Sequence, residues 1–169
     1  MSASTLLLSL FKYKAWANEE LFVELERLDP ESQKAERHAA IRLLNHLYVV
    51  DRIFAAHLSG TAHPFAATNT AETPTLDELR AAVVESDRWY VEYVETLPPP
   101  LLSQKLPFTF TDGANGCMSR EEMLAHVVTH GGYHRGAVGR IMAQLSIAPP
   151  RDIFTVYLHQ SEPGRRAQT

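Results

Sequence analysis

The segment Ser119-Arg-Glu-Glu-Met-Leu-Ala-His126-Val-Val-Thr-His130-Gly-Gly-Tyr-His134-Arg-Gly136 has the pattern of one long helix. Its Ser119 and Glu122 are spaced as in a capping box, in which each side chain accepts a hydrogen bond from the other residue's backbone N–H. We predict that the helix runs from this box to about Ser146. The pair Gly131-Gly132 lies inside it, and each glycine costs about 1 kcal/mol relative to alanine in a helix interior. A close backbone approach or a ligand is expected to compensate for this loss.

Three histidines of this helix, His126, His130 and His134, follow one another at intervals of four residues. Positions four apart lie on nearly the same helix face, about 6 Å apart along the axis. Two neighbouring imidazoles can therefore bind one metal ion through neutral nitrogen atoms. The outer two histidines are roughly 12 Å apart along the axis, too far for both to share an ion with His130 without distortion. The segment predicts two ligands of a metal site, and any third ligand must come from another helix.

Apolar periodicity, caps and helix-stopping residues predict three more long helices before this one. Their expected ranges are Leu6–Leu28, Ser32–Ser59 and Thr75–Leu97. The small and polar residues from Gly60 to Pro74 predict a loop, and the segment that begins at Lys105 predicts a short hairpin or an extended loop. After the long helices, Asp152 is expected to cap a short helix that ends near His159. Four amphipathic helices with short connections predict an all-α protein, a four-helix bundle.

The composition is that of one ordinary globular domain, with 45% hydrophobic and 21% charged residues. We predict a single domain over residues 1–160 and a polar C-terminal tail over residues 161–169. A net charge of −4 and scattered basic residues argue against a nucleic-acid partner. One cysteine, no signal-peptide pattern and no apolar run of about 20 residues predict a cytoplasmic protein that does not enter the membrane.

The second helix contains the candidates for a third metal ligand, since cores of helix bundles often hold metal sites built from facing helices. His46 lies among apolar residues in the middle of this helix, where a facing helix is most expected to pass. His57 lies on much the same stripe, and His38 lies near the helix start. Spacing alone leaves the choice among these three open.

Several motifs resemble those of the DinB/YfiT-like family of metal-dependent proteins. They are Tyr13-Lys-Ala-Trp-Ala-Asn18, Leu44-Asn-His-Leu47, the three-histidine segment, and the closing Pro149-Pro-Arg-Asp-Ile-Phe-Thr-Val-Tyr-Leu158. The resemblance covers nearly the whole chain, and its histidine motif is the most specific part. At Ala137 the chain departs from the glutamine that often follows His-Arg-Gly in this family.

The resemblance implies a four-helix bundle in which His46, His130 and His134 bind a divalent metal ion, usually zinc or nickel. It implies that His126 is a recurrent histidine beside the site and not a ligand. Some members transfer or isomerise groups with low-molecular-weight thiols such as bacillithiol or mycothiol, others look like hydrolases, and many have no assigned reaction. Members of the family are often dimers. It therefore implies a small-molecule substrate and an enzyme with a thiol co-substrate. The alternatives are a metal-dependent hydrolase and a non-enzymatic, stress-related metal-binding protein.

The remaining conspicuous residues have plainer expected roles. Arg135 is expected to form a salt bridge, with an anionic substrate group as the alternative, and Tyr133 is expected either to line the pocket or to pack. Phe11, Tyr13 and Trp16 are expected to pack in the core, and Asp51 and Arg52 are expected on a solvated helix face. Cys117 is expected in a turn-rich loop. Surface or loop positions are expected for the four remaining histidines, His38, His57, His63 and His159. The run from Leu6 to Phe11 is apolar around more of the helix than one core face needs, which predicts a homodimer.

Overall fold

Four long helices pack into a bundle in the computed structural model, which describes residues 2–167. The helices are α1 (Ala3–Leu25), α2 (Lys34–Ser59), α3 (Leu76–Thr96) and α4 (Arg120–Gln144). Helices α1 and α2 each pack against both α3 and α4, so α1 and α2 lie across the bundle from each other. The predicted all-α four-helix bundle is confirmed. Among the described residues, no helix combines the length and the apolar character needed to cross a membrane.

Local signals place most of the helix ends. Both predicted capping boxes form, between Thr75 and Glu78 at α3 and between Ser119 and Glu122 at α4. Gly60 ends α2 in the left-handed conformation, with φ of 68°, which glycine adopts without the strain that a Cβ atom would cause. Helix α1 begins earlier than predicted, because the Ser2 side chain accepts a hydrogen bond from the backbone N–H of Thr5.

A two-stranded hairpin precedes α4, so the hairpin is the correct one of the two predicted alternatives. Strands β1 (Lys105–Thr109) and β2 (Asn115–Ser119) are antiparallel, with Lys105 opposite Ser119. Strand β2 runs directly into the capping box of α4. Cys117 therefore lies in a strand, paired with Pro107, and not in the predicted turn-rich loop; its side chain is exposed.

The short last helix, α5 (Phe154–Ser161), forms near the predicted place, but its predicted cap is wrong. Ile153 occupies the N-cap position, and no side chain caps the helix. Asp152 instead binds Arg135 of α4, since a buried guanidinium needs a carboxylate more than an exposed helix end needs a cap. Within the predicted tail, Pro163–Ala167 form a 3₁₀ helix, and residues 168 and 169 lie outside the described residues. The division into a domain and a tail stays a prediction.

The apolar core consists of two clusters separated by a layer of buried polar residues. One cluster surrounds Phe11 and Tyr90, and the other surrounds Leu25 and Met142. Along α1, α3 and α4, the buried polar residues come between the members of the two clusters. These residues are Lys14 and Asn18 of α1, Ser86 and Asp87 of α3, and Arg135 of α4. On α4, His130 and His134 come just before Arg135, next to this layer.

Candidate metal centre

His46, His130 and His134 converge between α2 and α4, and all three are half-buried. Each offers one ring nitrogen, and these nitrogens all lie within 4.8 Å of one another. The ring centroid of His46 is 5.1 Å from that of His130 and 4.7 Å from that of His134. The structure thus brings together the three histidines that the resemblance selects, and they form a candidate metal site.

The spacing of the two nearest nitrogens suits a shared ion. His46 Nε2 lies 3.2 Å from His130 Nε2. Two histidine nitrogens bound to one tetrahedral zinc ion lie about 3.3 Å apart, because each zinc–nitrogen bond is about 2.0–2.1 Å. The Nδ1 atoms of His130 and His134 are buried and have no hydrogen-bond partner among the described residues. For His130 this is not the nitrogen that faces His46, so Nε2 is the atom that would bind a shared ion.

The loop after α2 orients His46. The Nδ1 atom of His46 lies 2.7 Å from the carbonyl oxygen of Thr68, which can only accept a hydrogen bond. Nδ1 therefore carries a proton, and Nε2 is the nitrogen that faces His130. Neighbouring side chains hold the loop in place, since Asn45 donates to Asn69 and to Thr70. Partners of this kind set the tautomer and the direction of a metal-binding histidine.

The environment keeps the histidines of α4 neutral. Burial lowers the pKa of His130 to about 3, and the neighbouring His134, His126 and His46 and the Lys14 ammonium act in the same direction. Burial and His46 lower the pKa of His134 as well. Metal ions bind the neutral form of imidazole, so both side chains are in the binding form at neutral pH.

His126 lies beside the cluster and does not belong to it. Its ring stacks on His130, with centroids 5.2 Å apart and planes at 24°. Its other neighbour is Phe54 of α2, 4.7 Å away between centroids. The position agrees with a packing role beside His130, and the resemblance implies that His126 is not a ligand.

A buried ion cluster lies under the histidines. Lys14 Nζ is 2.7 Å from Asp51 Oδ2 and 2.6 Å from Asp87 Oδ1. Burial alone would lower the pKa of Lys14, but the two carboxylates outweigh it and raise the pKa. Burial raises the pKa of Asp51 to about 6, against the opposing effect of Lys14. Lys14 and Asp51 are therefore charged at neutral pH, and the ammonium of Lys14 lies near His130.

Arg135 extends the buried polar layer toward α5. Its Nε and Nη2 atoms donate to the two oxygens of Asp152, at 2.8 and 3.2 Å, and its Nη1 atom donates to Asn18. Tyr13 also donates to Asp152, and burial followed by this hydrogen bond raises the pKa of Tyr13 to about 12. The predicted salt bridge of Arg135 is therefore present. Asn18 joins the two halves of the layer, because it also donates to Asp87 at 2.7 Å.

Gly131 is explained by this layer. A Cβ atom at Gly131 would lie 3.1 Å from Arg135 Nη1 and 3.5 Å from Lys14 Cε, so the missing side chain makes room for both cations. This is the close approach that the sequence predicts for the glycine pair. Nothing in the structure explains Gly132, whose Cβ position is open.

The sequence model described as the DinB family matches residues 1–165. The chain belongs to the DinB family. It is also similar to Protein DinB of Bacillus subtilis (strain 168), with 26% identity over 168 residues that cover 90% of this chain and 94% of the relative. The family resemblance inferred from the motifs is thus confirmed over nearly the whole chain.

Several expectations for this DinB-family chain need correction. Asp51 does not lie on a solvated helix face, because it is 1% exposed and binds Lys14. Tyr13 and Trp16 are half-buried and pack against Tyr157 of α5, so only Phe11 of the three aromatic residues is in the core.

The other histidines of α2 and its following loop, and Tyr133, agree only in part with their predicted positions. His57 is half-buried beside Phe108, with centroids 4.9 Å apart, and His63 is half-buried beside His57. His38 is exposed, as predicted. Tyr133 is 76% exposed, and its ring is perpendicular to that of His134, with centroids 5.2 Å apart.

The sequence also contains a signal for the buried ion cluster, which the predictions above did not include. Lys14 and Asn18 are four residues apart, on the same helix stripe as the apolar Leu7, Phe11 and Leu21. Polar residues within an apolar stripe are buried with the stripe, and a buried ammonium requires carboxylate partners. The same rule applies to Asp51, which follows Val50 on the inward face of α2.

Proposed function

We propose that this DinB-family protein is a metal-dependent enzyme that uses a divalent ion, zinc or nickel, held by His46, His130 and His134. The observation that carries the proposal is the convergence of three imidazoles from two helices, whose ring nitrogens all lie within 4.8 Å of one another. A site of three histidines leaves a coordination position free, as catalytic zinc sites do, whereas structural sites have four protein ligands.

The reaction that we favour transfers or isomerises a group on a small electrophile, with a low-molecular-weight thiol as co-substrate. A divalent ion held by three neutral ligands keeps its positive charge and lowers the pKa of a thiol or a water molecule that binds to it. Hydrolysis would need a nearby carboxylate or histidine to move the proton. The carboxylates of Asp51, Asp87 and Asp152, which bind residues of the polar layer, are instead engaged with Lys14 or Arg135. Their engagement favours thiol chemistry.

The residues of the chain have distinct parts in this proposal. The carbonyl of Thr68 keeps the His46 ring turned with Nε2 toward His130. His126 supports His130 by stacking, and the buried cation of Lys14 disfavours protonation of His130. Each contribution keeps a nitrogen lone pair available and correctly directed.

Hydrolysis is the second candidate, and the position of His126 favours it. Burial lowers the pKa of His126, so this histidine is neutral and able to accept a proton next to the candidate site. In this case His126→Ala would abolish a hydrolytic activity but retain the metal. A non-enzymatic metal-binding protein is the third candidate, and a metal that binds stoichiometrically without any thiol-transfer or hydrolytic activity would favour it.

The test compares His46→Ala with His38→Ala, since His38 is an exposed histidine of the same helix. Both variants and the wild type are loaded with zinc or nickel and assayed with a panel of thiols and electrophiles. We expect His46→Ala to lose metal and activity and His38→Ala to keep both. Chelation should abolish the wild-type activity, and added metal should restore it. Activity that survives complete demetallation, verified by elemental analysis, would refute the proposal.

We also propose that the protein is a cytoplasmic homodimer. Leu6 at the start of α1 is 41% exposed, although Leu7 and Phe11 on the same helix are in the core. Because the inward face of α1 is already packed in the core, the exposed side chain of Leu6 can contact a second copy of the chain.

A further inference from the structure

A groove of about 460 Å³ lies on the side of α4 that faces α1, separate from the histidine cluster on the side that faces α2. Its floor includes Ala17 and Leu21 of α1 together with Gly136 and Gly139 of α4. The segment of residues 149–153 forms its other wall. The volume lies within the range of about 300–1,000 Å³ that is usual for small-molecule pockets.

Gly136 keeps this groove open, and Gly139 lets the proline wall approach α4. A Cβ atom at Gly136 would meet no atom within 4 Å, so free space lies directly over its backbone. A Cβ atom at Gly139 would lie 3.3 Å from Pro149 Cβ, so the wall formed by the proline pair approaches α4 closely at this point. Most of the lining is apolar, with Leu21, Pro149 and Ile153 among its members. Ile153 is 44% exposed, so part of this apolar lining is open to solvent.

The polar part of the lining is predominantly cationic. Arg135, Arg140 and Arg151 contribute three positive charges, and Asp152 contributes one negative charge. Asp152 is already bound to the buried Arg135. The side chains of Arg140 and Arg151 are exposed and form no ion pair or hydrogen bond with residues 2–167. Two arginines without partners beside an apolar floor match a ligand with one anionic end and one apolar end.

We propose that this groove binds a small amphiphilic anion, a medium-chain carboxylate, which acts as a ligand separate from the substrate at the histidine cluster. The apolar chain packs on Leu21 and on the glycine face of α4. The carboxylate pairs with Arg140 and Arg151. The site does not require the metal, because none of the three histidines lines the groove.

The test measures binding of sodium octanoate by calorimetry and compares it with 1-octanol, which has the same chain without the charge. We expect saturable binding of one octanoate per chain. Arg140→Gln combined with Arg151→Gln should weaken octanoate binding about tenfold or more, since a charge-assisted hydrogen bond contributes about 1.5–3 kcal/mol. The same variant should change the binding of 1-octanol by less than about twofold, because only the charge is removed.

A second variant, Gly136→Leu, fills the groove. Position 136 is an exposed helix position, and leucine favours a helix more than glycine does, so the variant should fold. It should abolish binding of both octanoate and 1-octanol, whereas Ala125→Leu, at an exposed position three turns away on α4, should leave both unchanged. His130→Ala should also bind octanoate as the wild type does.

Four results would overturn the proposal. They are octanoate binding that does not saturate, equal binding by the double arginine variant, equal binding by Gly136→Leu, and loss of binding in His130→Ala. The last result would place octanoate at the histidine cluster, and it would leave the proposed enzymatic function intact. Light scattering tests whether a second copy of the chain fills the groove instead. In that case the wild type would be a dimer that does not bind octanoate, and Gly136→Leu would be a monomer.

Discussion

Replacing Lys14 by methionine removes the only ammonium from the buried ion cluster. Lys14 is fully buried and lies within 2.7 Å of an oxygen of both Asp51 and Asp87, whose side chains are 2% and 5% exposed. Methionine keeps an unbranched side chain but leaves two buried carboxylates without their cation. Breaking a buried ion pair in this way costs about 3–5 kcal/mol. We expect Lys14→Met to lower the free energy of unfolding by this amount at pH 7.5, a large part of the roughly 5–15 kcal/mol typical of a folded protein.

The size of this loss should depend on pH. The pKa of Asp51 is raised to about 6 by burial even with Lys14 present, and removing the cation raises it further. A carboxyl group whose pKa is higher in the folded state than in the unfolded state destabilises the fold as the pH rises from the unfolded value of about 3.9 through the folded value. The variant should therefore differ less from the wild type at pH 5 than at pH 7.5.

Urea unfolding followed by circular dichroism measures both effects. Lys12→Met is the control, because Lys12 is an exposed lysine of the same helix and should change the free energy of unfolding by less than about 0.5 kcal/mol. The slopes of the unfolding free energy against urea should agree among the three proteins, so that the midpoints report stability. A loss below about 1 kcal/mol for Lys14→Met at pH 7.5, or a loss as large at pH 5, would refute the reasoning.

Three further predictions concern the histidines and the oligomeric state. His130→Ala should lose stoichiometric zinc in elemental analysis and keep its helical circular dichroism, whereas His126→Ala should keep the metal; the opposite result would show that the ligand pair on α4 is wrongly assigned. The metal-free protein should lose stability in acid, because His130, with its pKa lowered to about 3, stays neutral when folded but takes up a proton when unfolded below about pH 6.5. This loss should begin near pH 6.5 and grow toward pH 3; His130→Ala lacks it, so a difference in urea midpoint between the metal-free wild type and His130→Ala that stays the same between pH 7.5 and 5 would contradict it. Leu6→Glu should convert a dimer into a monomer in light scattering without unfolding it, and a wild type that is already monomeric at micromolar concentrations would exclude the proposed dimer.

The sequence alone determined the features that depend on neighbours a few residues away. The capping boxes at Thr75 and Ser119 and the left-handed Gly60 follow from interactions within one helix turn, so their positions were predicted correctly. The four-residue spacing of His130 and His134 follows from helix geometry in the same way. Spacing left open which histidine of α2 faces them, and only the family resemblance selected His46.

The tertiary structure alone decided which charges are buried and what they bind. Lys14, Asp51 and Asp87 are at least 36 residues apart along the chain, and they meet only because α1 packs between α3 and α4 and faces α2 across the core. Asp152 has the local signature of a helix cap, yet it binds Arg135, 17 residues away, because a buried guanidinium without a carboxylate is costlier than an uncapped helix in water. The groove beside Gly136 has the same origin, since its walls come from helices and a segment that only packing brings together. Local sequence patterns reflect interactions within one helix turn, whereas the burial of a side chain depends on how all the helices pack.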